Sequence, residues 1–150
     1  MKPFIYTFML LASIFIAMPV HALSLPCSLV LNPAGDQFPN AKGAALLYKA
    51  KMTPSFPRTS ISILAVHLPR PSSLGNYDSY EGFAFIPNEI SWRFRLYSTP
   101  EKEDPTWAGR FDLITSEMTQ ARVQVRLSNS KTEKLGSSIL TGSVKQCLKR

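Results

Sequence analysis

Four arginines recur in the two most regular stretches of this chain. Arg93 and Arg95 stand in Ile90–Tyr97, and Arg122 and Arg126 stand in Gln120–Leu127. Residues two or four apart on a β-strand project from the same face of a sheet. If the two stretches share a sheet, that spacing stacks four guanidinium groups on one surface, with Tyr97 and Gln124 beside them. A planar guanidinium grips phosphate or carboxylate through two parallel hydrogen bonds, so the chemistry on offer is anion binding. The same pattern has a plainer reading, because arginine on a solvated sheet face also maintains solubility and discourages edge pairing.

The carboxylates offer less. Glu101, Glu103 and Asp104 cluster in a proline-bearing loop, and Asp78 and Glu81 lie near another. Calcium needs six to eight oxygens from converging segments, and no spacing here matches a calcium loop. A solvated acidic loop does not raise a carboxyl pKa as acid catalysis requires. His67 is accompanied by no nucleophile elbow and no second ligand histidine downstream of the leader, so it reads as a surface or half-buried residue. No catalytic residue, metal site or cofactor is expected.

Among the aromatic residues, Trp92 alternates with Phe94 and Leu96 and belongs to a core. Trp107 follows a polar loop and is a candidate ligand-facing ring. Tyr77 and Tyr80, within Gly75-Asn-Tyr-Asp-Ser-Tyr80, read as loop aromatics that either meet a partner or fold over the edge of the domain.

Period-two patterning dominates the elements that must position these groups, and no segment carries a helical stripe over three turns. Cys27, Leu29 and Leu31 share a phase. Ala44–Met52 is apolar enough for a short helix, but the prolines that follow favour a strand. In Ser60–Leu68, Ile61 and Ile63 share one phase and Leu64, Val66 and Leu68 the other, which predicts a bulge after Ile63 or burial on both faces. Tyr80–Ile86 places Phe83 and Phe85 in phase. Ile90, Trp92, Phe94 and Leu96 face one way, with the arginines opposite. Trp107–Thr115, Gln120–Leu127 and Ser137–Gln146 complete the series, with a hairpin loop over Ser128–Gly136. Seven to eight short antiparallel strands predict an all-β domain. The first architecture expected is a β-sandwich of immunoglobulin-like or related Greek-key plan, and the second a small β-barrel.

The compartment is read from the N-terminus. An apolar run from Phe4 to Val20 follows Lys2 and ends in Val20-His21-Ala22, the pattern of a secretory signal peptide cleaved after Ala22. Residues 1–22 are therefore read as the leader and 23–150 as one domain, with no transmembrane segment left after cleavage. An exported chain with an even cysteine count predicts a disulfide, here Cys27–Cys147. Its loop spans nearly the whole domain and requires the first and last ordered elements to lie side by side.

Net charge is +7, with 17 Lys and Arg against 10 Asp and Glu. Removing Lys2 with the leader leaves +6. A basic exported protein is attracted to anionic polymers. No zinc-ligand spacing, aromatic RNA-binding motif or basic helix points to specific nucleic-acid recognition. The leading expectation is thus a secreted or envelope protein, non-enzymatic, binding an anionic cell-surface or matrix polymer through its arginine face. A second is a secreted interaction module or inhibitor acting through the loops around Tyr77–Tyr80 and Glu101–Trp107. A small hydrolase is disfavoured because its constellation is missing.

Overall fold

Alternating apolar residues become strands wherever one face can be buried, and eight segments meet that condition in the computed structural model, which describes residues 22–51 and 56–148. They are β1 (Cys27–Pro33), β2 (Lys42–Lys51), β3 (Pro57–Val66), β4 (Ser79–Ile86), β5 (Ile90–Ser98), β6 (Trp107–Ile114), β7 (Arg122–Ser128) and β8 (Leu135–Ser143). Two short 3-10 turns, Pro71–Leu74 and Val144–Cys147, complete the elements. Residues 1–21 of the predicted leader lie outside the described residues, as does Met52 at the end of the second predicted run.

All neighbouring strands pair antiparallel, and they close into a barrel in the order β1-β2-β3-β6-β5-β4-β7-β8. The all-β class is as expected, and the barrel, second of the two architectures anticipated, replaces the sandwich. The two sheets of a sandwich are still visible as β1-β2-β3-β6 and β5-β4-β7-β8, but two short seams join them. On one seam Tyr97 pairs with Ala108 and Ser98 with Trp107. On the other, Asn32 pairs with Thr141 and Pro33 with Leu140, and Ala34 N–H continues by donating to the Ile139 carbonyl at 2.8 Å. Strand number and spacing are the same for both architectures, so seams only two residue pairs long left no trace in the pattern.

Bulges bend the sheets enough to close them. Opposite the single residue Ser60, β6 carries both Asp112 and Leu113. The bulge expected after Ile63 in β3 is absent, because Ile61 to Ala65 pair with β6 in unbroken register. Ile61, Ile63 and Ala65 keep one inward phase, Leu64 points out, and Leu68 is buried beyond the strand end. The bulge in β6 turns Leu113 outward and Ile114 inward. In β8, extra residues between the partners of Val125 and Arg126, and again between those of Arg126 and Ser128, put both Ile139 and Leu140 inside.

Side chains from all eight strands fill the interior, as an eight-stranded barrel permits. Volume is matched across β4 and β5. Gly82 pairs with Phe94 and Ala84 with Trp92, and a Cβ at Gly82 would lie 2.4 Å from the Phe94 ring. Small residues on β4 are what admit the two large rings of β5.

The disulfide Cys27–Cys147 is present, with the two Cα atoms 5.8 Å apart across 120 residues of sequence. It ties β1 to the final 3-10 turn. A bridge between Leu23 and Leu148 and a Ser24 N–H to Cys147 carbonyl bond of 3.1 Å extend the contact, so the first and last described elements are adjacent as the cysteine pairing required.

Candidate functional site, an arginine and phenylalanine face

The outward phases of β5, β4 and β7 form one continuous surface, and register fixes its composition. Arg95 of β5, Glu81 of β4 and Arg126 of β7 make one row. Arg93, Phe83 and Gln124 make the next, and Ser91, Phe85 and Arg122 the third. The four predicted arginines thus share a face, separated by β4 rather than stacked directly. Between them lie two half-buried rings, Phe83 and Phe85, with centroids 5.2 Å apart.

The arginines fall into two classes. Arg93 donates to both Glu81 oxygens, at 2.9 and 3.2 Å, and to the Glu133 carbonyl at 2.9 Å. Arg126 donates twice to the Gly136 carbonyl, at 3.0 and 2.8 Å, and its guanidinium sits 5.3 Å from the centre of the Phe83 ring, within cation–π range. These two hold the β7–β8 hairpin against the face. Arg95 and Arg122 are exposed and make no side-chain hydrogen bond to the described residues, so their donors stay open to a ligand.

Glu81 is the one carboxylate in this register. Its partial burial disfavours charge, but hydrogen bonds from Arg93 and Ser128 and the charges of Arg93 and Arg95 outweigh that and hold it below its ordinary value. The bond to Glu81 in turn raises the Arg93 pKa. Four guanidinium groups against one carboxylate leave the face positive. A groove of about 580 Å³ opens at one end of it, lined by Arg122, Lys145, Gln120, Thr141, Ser143 and the carboxylate of Glu89 among others.

The predicted aromatic candidates lie elsewhere. Tyr80 lies in β4, as the run Tyr80–Ile86 predicts, and not in the loop before it. Its side chain is buried, its hydroxyl donates to the Pro69 carbonyl at 2.6 Å, and burial pushes its pKa well up. Trp107 opens β6 half-buried, its ring edge-on to Tyr80 with centroids 5.1 Å apart. Tyr77 is half-buried against the core and rests on Gly136, where a Cβ would come within 2.6 Å of its ring. The loop aromatics therefore fold over the barrel.

The acidic residues are also dispersed. Asp78 accepts from the Ser130 amide and hydroxyl, at 2.8 and 2.6 Å. Asp104 pairs with Nδ1 of the exposed His67.

Phe83 and Phe85 are the site residues that strand periodicity alone did not single out. The signal was present, since Glu81 shares their phase and the alternate positions, Gly82 and Ala84, are small enough to face the rings of β5.

Comparison with known proteins rests on one family. The family described as "SPbeta prophage-derived uncharacterized protein YoqH" matches residues 23–148. The chain belongs to this family. A relative carrying the same description in Bacillus subtilis (strain 168) is 59% identical over 150 residues, covering 98% of this chain and 99% of that protein. No solved structure matches.

Proposed function

We propose that this family member is an exported, non-enzymatic binding protein whose β5-β4-β7 face holds anionic polymers of the cell surface or matrix. The observation that carries the reading is the joint placement of Arg93, Arg95, Arg122 and Arg126 around Phe83 and Phe85 on adjacent strands. Within that face Arg95 and Arg122 supply the open donors, while Arg93 and Arg126 fix the surface on which the polymer lies. The groove beside Arg122 and Lys145 extends the contact beyond the sheet. The net charge, +7 for the whole chain and +6 once Lys2 is removed with the leader, supports attraction at a distance.

Export is part of the proposal. It draws on the apolar leader with its Val20-His21-Ala22 cleavage pattern and on the Cys27–Cys147 bridge, which persists in an oxidising compartment. Among the described residues no helix is long and apolar enough to cross a membrane.

The test is retention of the protein on envelope fractions and on an immobilised polyphosphate at low salt, beside an Arg95→Ser/Arg122→Ser variant. Retention by the parent and loss in the variant is the expected outcome. Equal retention of both, or retention of neither, would refute the arginine face as a binding site.

A further inference from the structure

The groove at the end of the arginine face differs from the sheet in carrying both signs of charge. It is built where three connections meet: the turn from β4 to β5, the entry to β7 and the run from β8 into the last 3-10 turn. Of its lining residues, Glu89, Arg122 and Lys145 are charged. Each is carried by a fixed backbone. Glu89 N–H donates to the Ile86 carbonyl at 3.1 Å, across a turn in which Asn88 is left-handed with φ 63°. Arg122 is paired on both sides, with Phe85 of β4 and Ser143 of β8. Lys145 N–H donates to Ser143 Oγ at 3.3 Å, and the Val144 N–H beside it to the Ala121 carbonyl at 3.0 Å. All three charged side chains are exposed. The ion pairs among the described residues are His67–Asp104, Arg93–Glu81 and Arg110–Asp112, so Glu89 is paired with neither cation of its own groove.

Opposite charges that line one concavity of about 580 Å³ without meeting present two separate poles. A plain polyanion satisfies Arg122 and Lys145, but it brings like charge up to Glu89, and such juxtaposition costs affinity. A plain polyamine meets the reverse mismatch at Arg122 and Lys145. A ligand that carries an anion and an ammonium a few bonds apart matches both poles, and the repulsive group is then what selects it. The neutral side chains of Gln120, Thr141 and Ser143 add donors and acceptors for the atoms that link the two charges. Arg122 belongs at once to the groove and to the third row of the sheet face, so a ligand held by both runs from the sheet into the groove. That continuity fits a chain rather than an isolated headgroup.

We infer that the groove holds a zwitterionic unit of a polymer, with its anionic group on Arg122 and Lys145 and its ammonium on Glu89. The inference rests on the anionic-polymer reading of the adjoining face, and it narrows that polymer to one whose anionic groups are accompanied by amines.

The test is a titration of the protein, as processed by the cell from the full chain, with phosphoethanolamine and with ethyl phosphate, which lacks the ammonium. Amide NMR shifts at Glu89, Arg122 and Lys145 report binding. The parent is expected to bind phosphoethanolamine at least about threefold more tightly than ethyl phosphate. Glu89→Gln should abolish that preference, and Glu89→Lys should bind ethyl phosphate more tightly than the parent does. Equal affinities in the parent, or a preference that survives Glu89→Gln, would overturn the inference. Equal affinities beside retention of the parent on polyphosphate would refute the zwitterion and leave the arginine face standing. The preference without such retention would support the groove and refute the sheet face. Phosphorylated chitosan, a polymer bearing both groups, and phosphatidylethanolamine vesicles separate the two sources of this chemistry. Retention on the polymer is expected, whereas flotation with the vesicles in its absence would assign the groove to a lipid headgroup and overturn the polymer.

Discussion

At the scale of single residues, the arginines that look equivalent in the sequence divide by what they touch. Arg93 and Arg126 are bound to Glu81 and to the Glu133 and Gly136 carbonyls, whereas Arg95 and Arg122 are open. Arg93→Ser is therefore expected to cost about 1 kcal/mol in chemical denaturation through the lost charge-assisted bonds. Arg95→Ser and Arg122→Ser should each stay within about 0.5 kcal/mol of the parent. Glu81 sets an acid limit. Its folded pKa lies below the ordinary 4.5, so its contribution to stability is present above that value and is lost as pH falls through the depressed folded value. Unfolding followed from neutral pH downwards should show stability decreasing below about pH 4.5, and Glu81→Gln should flatten that part of the slope while Asp78, also lowered by its bonds to Ser130, keeps its own share. Alternation revealed that the arginines face outward. It did not reveal which were engaged, because the Glu133 and Gly136 carbonyls belong to a loop and a strand start whose positions depend on the closed fold.

At the scale of elements, strands with one buried face were legible nearly to the residue. Ile90–Tyr97 was expected and β5 runs Ile90–Ser98, because one uninterrupted phase carries Trp92, Phe94 and Leu96 inward. The misreadings lie where a bulge or a partner strand decides. The irregularity of the β3–β6 pair lies in β6 opposite Ser60 rather than in β3 after Ile63, and only the partner strand shows where it falls. Closure also rests on a close approach that no periodicity shows. A Cβ at Gly109 would come within 2.4 Å of the Arg95 carbonyl oxygen, and backbone cannot yield as a side chain can. Gly109→Val is expected to destabilise by about 1–3 kcal/mol and to increase amide exchange in β5 and β6, whereas unchanged exchange there would argue against a seam at this position. The Cys27–Cys147 bridge closes the longest loop in the fold. The double Cys→Ser variant should lose about 4–5 kcal/mol by the chain-entropy argument, read as a lowered denaturation midpoint.

At the scale of the whole molecule, the barrel separates two surfaces. One sheet carries guanidinium groups and phenyl rings on its outside, and the opposite sheet exposes Val30, Leu46, Leu64 and Leu113. Composition foretold the positive charge and the alternation foretold which residues face out. The segregation appears only when strand order is known, since β4, β5 and β7 are brought together by pairing, with β6 and β8 joined to their outer edges. The central claim is that the arginine face binds a polyanion, and the salt dependence of that affinity tests it most directly. Binding to polyphosphate should weaken linearly on logarithmic axes as salt rises, because each phosphate contact releases counterions. Replacing Arg95 and Arg122 by serine should reduce that slope by about two, one for each contact removed. A slope unchanged by the double substitution, or an affinity indifferent to salt, would contradict the account.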